Sequence, residues 1–180
     1  MKENPPPSLR GILPSDFESL YKLDQICFEP GIAYSRGELR RFLGIPTAGG
    51  LVADLEGTIA GFAIGYLARG GVARVVTLDV HPSFRRRSLG RALLEGLLSH
   101  FSRAGAREAR LEVSTENAGA IAFYRKLGFR RRRRIPDYYG RGRDAIEMEL
   151  RFPFSARRAA ARGSCSIRGA RRIGRQGRGD

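Results

Sequence analysis

The chain has 180 residues, 42% of them hydrophobic, and a formal net charge of +15. That length suits one domain with a buried core and leaves little room for a second. No apolar run reaches bilayer-crossing length, and the polar, proline-rich residues 1–11 lack an apolar signal core, so a cytoplasmic protein with no membrane contact is expected.

Ser15 and Glu18 form an S-x-x-E capping pair after Pro14, which predicts a helix with Phe17, Leu20 and Tyr21 on its apolar face. A second pair, Ser35 and Glu38, opens a short helix ending near Leu43. Residues 50–55 and 59–67 read as two strands of a hairpin turned at Glu56 and Gly57. Residues 73–80 form the next strand, with Val76, Leu78 and Val80 on one side and Thr77 and Asp79 on the other. Pro82 ends it. From Ser88 the period becomes helical through Leu89, Leu93, Leu97 and Phe101, and Gly105 stops the helix. Ala109, Leu111 and Val113 alternate with Arg110, Glu112 and Ser114, as in a strand. Asn117 caps a further helix carrying Ile121, Tyr124 and Leu127, and Gly128 ends it. Residues 129–135 and 144–151 are the last strands, around a loop at 136–142. Strands alternating with helices after a hairpin imply an α/β sandwich on a mixed sheet.

Residues 1–154 are read as the folded domain. Residues 155–180 are rich in Arg, Ala, Gly and Ser and read as a disordered tail. Residues 151–180 contain nine arginines and one acid, and five more arginines run from 130 to 134. A basic chain attracts nucleotides, cofactor phosphates, RNA and acidic proteins. Cys27 and Cys165 match no metal or redox spacing and read as free thiols, and no metal is expected. His81 and His100 fit no ligand pattern.

The segment Arg85-Arg86-Arg87-Ser88-Leu89-Gly90 joins a strand to a helix. Unpaired N–H groups at a helix start suit a pyrophosphate, Gly90 admits close backbone approach, and Arg85, Arg86, Arg87 and Arg91 add charged donors. By itself such a turn also reads as an ordinary solvated connection. Glu112 fits either a solvent-facing strand position or a base. Tyr124 fits either a core aromatic or a proton donor. Asp79, beside Thr77 on the polar face, is a rival base.

Residues 85–90 resemble the acetyl-CoA motif of the GNAT superfamily, Arg/Gln-x-x-Gly-x-Gly/Ala, with Ser88 replacing the first glycine. The replacement matters if the position needs positive φ and matters less if Ser88 caps the helix. Leu111-Glu112-Val113, the run from Asn117 to Tyr124, Leu127-Gly128-Phe129, Asp137-Tyr138-Tyr139 and Asp144-Ala145-Ile146 resemble the bacterial ribosomal-protein-alanine N-acetyltransferases of that superfamily. The likeness covers most of residues 9–150 and is weaker before Val75.

The resemblance implies a GNAT-type mixed, mostly antiparallel sheet of about seven strands flanked by helices. It implies acetyl transfer from acetyl-CoA to an amine, most like the N-terminal α-amine of a protein. Glu112 is then the base and Tyr124 the acid. Asn117, the backbone of Leu78, Asp79 and Val80, and the turn Arg85, Arg86, Arg87, Ser88, Leu89, Gly90 and Arg91 would hold acetyl-CoA. Phe28, Glu29, Pro30, Tyr34, Tyr138 and Tyr139 would flank the peptide entry. Two other readings stand beside this one: an acetyltransferase of a small amine or lysine side chain, and an inactive RNA- or ribosome-binding protein using residues 130–134 and the tail. Ribosome or RNA contact through the tail is compatible with the enzymatic readings as well.

Overall fold

The computed structural model describes residues 8–153. Strand β1 (Ser8–Gly11) leads through a 3-10 turn at Pro14–Asp16 into α1 (Phe17–Cys27) and α2 (Arg36–Leu43). A hairpin follows, β2 (Ala48–Leu55) and β3 (Thr58–Ala68), then β4 (Val72–Val80). After a 3-10 turn at Pro82–Phe84 come α3 (Leu89–Arg103), β5 (Glu108–Ser114), α4 (Ala118–Lys126), β6 (Arg130–Ile135) and β7 (Ala145–Arg151). The expected Arg-rich tail lies outside the described residues. Among those residues, no helix is long and apolar enough to cross a membrane.

The seven strands form one sheet in the order β1-β2-β3-β4-β5-β7-β6. Every neighbouring pair is antiparallel except β4 and β5. The short edge strand β1 was not expected. It has no apolar alternation and forms because β2 offers it a pairing edge. The Ser15–Glu18 capping pair does not form either. Asp16 instead accepts the N–H of Leu13 at 2.7 Å, while Glu18 pairs with Arg36. The Ser35–Glu38 box does form, with reciprocal side-chain to backbone bonds of 3.3 and 2.9 Å.

One face of the sheet buries Leu93, Leu94, Leu97 and Phe101 of α3 against Ala63, Val75, Leu111 and Met148. Each fully buried leucine there contributes roughly 1.5–3 kcal/mol. Gly65 permits this close approach, since a Cβ there would stand 2.9 Å from the Phe101 ring. On the other face, α1 and α2 cover β2, β3 and β4 with Leu20, Leu23, Leu39, Val52, Phe62 and Ile64.

A bulge in β4 changes which face its residues serve. Val75 pairs with Gly65 and Thr77 with the adjacent Ile64, so Val76 is the extra residue. Beyond it, Leu78 and Val80 pack towards α3, while Thr77 and Asp79 join Val76 on the α1 side. The strict alternation read from the sequence therefore fails. Thr77 and Asp79 are buried, not a polar outer face.

Candidate active site

β4 and β5 pair only at Val72–Arg74 with Glu108–Arg110. Beyond Arg74 the strands diverge. From Val75 on, β4 therefore keeps backbone N–H and C=O groups with no strand on its β5 side. The fork opens into a cleft of about 160 Å³ lined by Phe28, Tyr34, Leu78, Glu112, Asn117 and Tyr124, among others.

At the far end of β4 lies the basic turn. Among the described residues, the N–H groups from Arg86 to Arg91 have no hydrogen-bond partner, and the first bond into α3 runs from Ala92 N–H to the Ser88 carbonyl. Six donors at the start of a fifteen-residue helix, with Arg86, Arg87 and Arg91 exposed beside them, suit a diphosphate. Arg85 turns back and donates to the Val80 carbonyl at 3.0 Å, and Arg91 pairs with Glu95.

Ser88 answers the question its replacement of glycine raised. Its φ is +62°, in the left-handed region, and its side chain makes no capping bond. Of the two alternatives, positive φ is the one observed and capping is not. Arg86 also has φ of +62°. The backbone path is the one glycine prefers, imposed here on two side-chain-bearing residues.

Asn117 does cap its helix, with Oδ1 accepting the Ala120 N–H at 3.0 Å, and it also lines the cleft. Tyr124, about two helical turns further on, stacks edge-on against Phe123 and Phe129. Burial, with Asp79 nearby, pushes its phenol up, and among the described residues its hydroxyl has no hydrogen-bond partner. A phenol held protonated with its hydroxyl uncommitted suits a proton donor.

Glu112 faces the cleft from β5. Its Oε1 is paired with Arg74, and Arg74 also donates to Glu147 at 3.2 Å. Asp79, the rival base, lies close to Tyr124 but is not among the residues lining the cleft. Its side chain is 1% exposed, takes a hydrogen bond from Thr77, and points under α1 rather than lining the cleft. Burial raises its carboxyl well above the ordinary range. Only its backbone remains available to a ligand along β4.

A second, more open cavity of about 790 Å³ adjoins the cleft, lined by Tyr21, Gln25, Tyr34, Arg41, Tyr138 and Tyr139, among others. Tyr34 and Tyr139 line both spaces. Tyr34 is fixed at three points: its N–H to Asp24 at 2.8 Å, its C=O to Gln25 at 3.0 Å and its hydroxyl to the Val76 carbonyl at 3.2 Å. Tyr138 and Tyr139 stand edge to face at 4.8 Å. Phe28 lines the cleft, but Glu29 and Pro30 line neither space, and Glu29 points outward to Arg143 at 3.9 Å. The loop displays those two residues to solvent beside the cleft.

Reading the sequence left out Arg74, Asp24 and Glu147. Arg74 had a signal, as a basic residue inside a mostly apolar strand. The arginines at 130–134 form strand β6, and three of them are occupied: Arg132 and Arg133 by Glu147, and Arg134 by Asp144.

Residues 17–129 match the family described as the acetyltransferase (GNAT) family. The chain belongs to the GNAT acetyltransferase family. Members of this family use acetyl-CoA. The chain is 41% identical over 99 residues to the [ribosomal protein bS18]-alanine N-acetyltransferase of Escherichia coli, covering 53% of this chain and 66% of that protein. It is 34% identical over 103 residues to an uncharacterised N-acetyltransferase of Methanocaldococcus jannaschii, covering 57% of this chain and 65% of the relative. The match thus spans just under two thirds of these curated relatives. Among solved structures, the ribosomal-protein-S18-alanine N-acetyltransferase from Escherichia coli superposes with a TM-score of 0.72 and 29% identity, over 80% of this chain and 92% of that one. The GNAT fold expected from the resemblance, a seven-stranded mostly antiparallel sheet with flanking helices, is the one observed.

Within this GNAT chain, the forked strands and the donor-rich turn fit acetyl-CoA: an open strand edge for its amide-bearing arm and unpartnered N–H groups for its diphosphate. Among the described residues, no group of three or more His, Cys, Asp or Glu is placed to hold a metal.

Proposed function

We propose that this chain acetylates the N-terminal α-amine of a protein, with acetyl-CoA as donor and a ribosomal protein as the acceptor class. The observation that carries the reading is the junction of two spaces at Tyr34 and Tyr139, one holding Glu112 and Tyr124 and the other open to solvent. The bacterial relative named for the alanine of ribosomal protein bS18 supports the acceptor class.

The roles follow from the chain's own groups. When bound, acetyl-CoA supplies an acetyl group activated as a thioester. The open edge of β4 at Leu78, Asp79 and Val80 holds the extended arm, and the N–H groups from Arg86 to Arg91 hold the phosphates. Asn117 borders the same arm. Glu112 takes the proton of the incoming amine, through one water. An α-amine has a reference pKa of about 7.7–8.0 against about 10.4 for lysine, so a single carboxylate suffices near neutral pH. Tyr124 donates to the departing sulfur. Tyr34, Tyr138 and Tyr139 border the path of the peptide and exclude water from it.

The test uses three acceptors with acetyl-CoA, read by mass spectrometry. These are a peptide with a free N-terminal alanine or serine, the same peptide N-blocked with an internal lysine, and a free small amine. The expected result is fast acetylation of the first alone. A preference for the blocked lysine peptide or the small amine overturns the N-terminal reading. No acetylation of any amine, and no acetyl-CoA binding at millimolar concentration, overturns the enzymatic one.

A further inference from the structure

Arg74 is the last residue of β4 paired with β5, so it stands at the apex of the fork. Its side chain leaves β4 and reaches two carboxylates on the far side, Glu112 on β5 and Glu147 on β7. Glu112 and Glu147 are direct cross-strand neighbours. Two adjacent carboxylates on one sheet face repel unless a cation bridges them, and one guanidinium presents donors in a planar fork suited to that. Glu147 is tied further, to Arg132 and Arg133, so the bridge is anchored on both sides of β7.

The two oxygens of Glu112 are not equivalent. Oε1 is held by Arg74, and the Tyr138 hydroxyl also approaches the carboxylate. The side chain is 11% exposed. One oxygen is therefore immobilised by a guanidinium while the carboxylate still faces the cleft.

We propose that Arg74 is a positioning residue for catalysis. By clasping Oε1 across the fork, it fixes the rotamer of Glu112 and keeps the carboxylate turned towards the water that relays the amine's proton. This inference rests on the reading of Glu112 as the base. Arg74 itself touches neither amine nor thioester. A carboxylate that loses this clasp, with Glu147 directly opposite, swings away from its neighbour and spends less time in the productive pose, so turnover falls while acetyl-CoA affinity does not.

The experiment measures kcat, the KM for a peptide acceptor and the Kd for acetyl-CoA in the full chain. The variants are Arg74→Met, Arg74→Lys, Glu112→Gln and the double variant Arg74→Met with Glu112→Gln. Arg74→Met is expected to lower kcat by about 10–100-fold, below the full effect of a general base, with acetyl-CoA Kd unchanged. Arg74→Lys keeps the charge and is expected to recover part of the loss. In the Glu112→Gln background, Arg74→Met is expected to cost nothing more, because a residue that acts through another is non-additive with it. A merely structural role would give the same fractional loss in both backgrounds, and that result overturns the proposal. Wild-type kcat in Arg74→Met alongside a slow Glu112→Gln overturns it too, while leaving the base assignment standing. Wild-type kcat in Glu112→Gln overturns the base assignment and this inference with it. Should Arg74→Met not fold, Arg74→Lys measured alone and in the Glu112→Gln background decides by the same additivity criterion.

Discussion

Asp24 on α1 accepts the backbone N–H of Tyr34 at 2.8 Å, so a fully buried carboxyl holds the loop that walls the larger cavity beside the cleft. Burial pushes that carboxyl up to about 6. Between about pH 4 and 6 the folded protein therefore keeps a proton that the unfolded chain has released. The unfolded state binds fewer protons there, so stability falls as pH rises through the window. Asp79, also buried and raised, acts in the same sense. Asp24→Asn retains an oxygen for Tyr34 and Gln25 and cannot ionise. Its melting temperature should match wild type near pH 4 and exceed it at pH 8 by on the order of 5 °C. Thermal melts across that range check this, and parallel curves for the two proteins would refute it.

Glu147 should show the opposite slope. Burial alone would raise it, but hydrogen bonds from Arg133, Arg132 and Arg74 reverse that and hold it at about 2. Its contribution is complete above the ordinary glutamate value and is lost as pH falls from there towards 2. Glu147→Gln leaves three arginines without their shared carboxylate. A loss of about 2 kcal/mol is expected, at the low end for a buried pair because Arg132 and Arg133 reach solvent. Urea unfolding at pH 7 and pH 3 should show the variant's deficit shrinking at the lower pH.

Ser88 holds a left-handed backbone at φ of +62° without any capping bond. That conformation costs a side-chain-bearing residue roughly 1–2 kcal/mol, part of which glycine's greater unfolded freedom offsets. Ser88→Gly should raise stability by about 0.5–1 kcal/mol and leave acetyl-CoA affinity within twofold. Calorimetry reads both quantities. A large loss of affinity would assign the hydroxyl a direct phosphate contact instead.

Tyr124→Phe keeps the ring between Phe123 and Phe129 and removes only the hydroxyl. A fall in kcat of about 10²–10³-fold is expected, with the acetyl-CoA Kd unchanged, as for loss of a general acid. Unchanged kcat in this variant would return Tyr124 to plain packing.

Much of this architecture was legible locally. The Ser35–Glu38 box, the leucine period of α3 and the Asn117 cap are written within four residues of themselves, because helix capping and amphipathicity depend on neighbours at that range. Residues 8–11 carried no strand signal, and the Ser15–Glu18 pair was misread, for the same reason. β1 exists only where β2 meets it, and Asp16 reached Leu13 before Ser15 found a partner.

The identity of the motif residues, and the family they indicate, were determined by the sequence alone, since short spacings in order survive any detail of packing. Only the tertiary structure decided what those residues face. The bulge at Val76 sends Asp79 beneath α1 and leaves Glu112 as the carboxylate in the cleft. Arg74 and Glu112 lie 38 residues apart and meet only because β4 and β5 lie side by side at the base of their fork. Such contacts depend on strand order and register, set by packing of the whole sheet, and no local pattern of side chains encodes them.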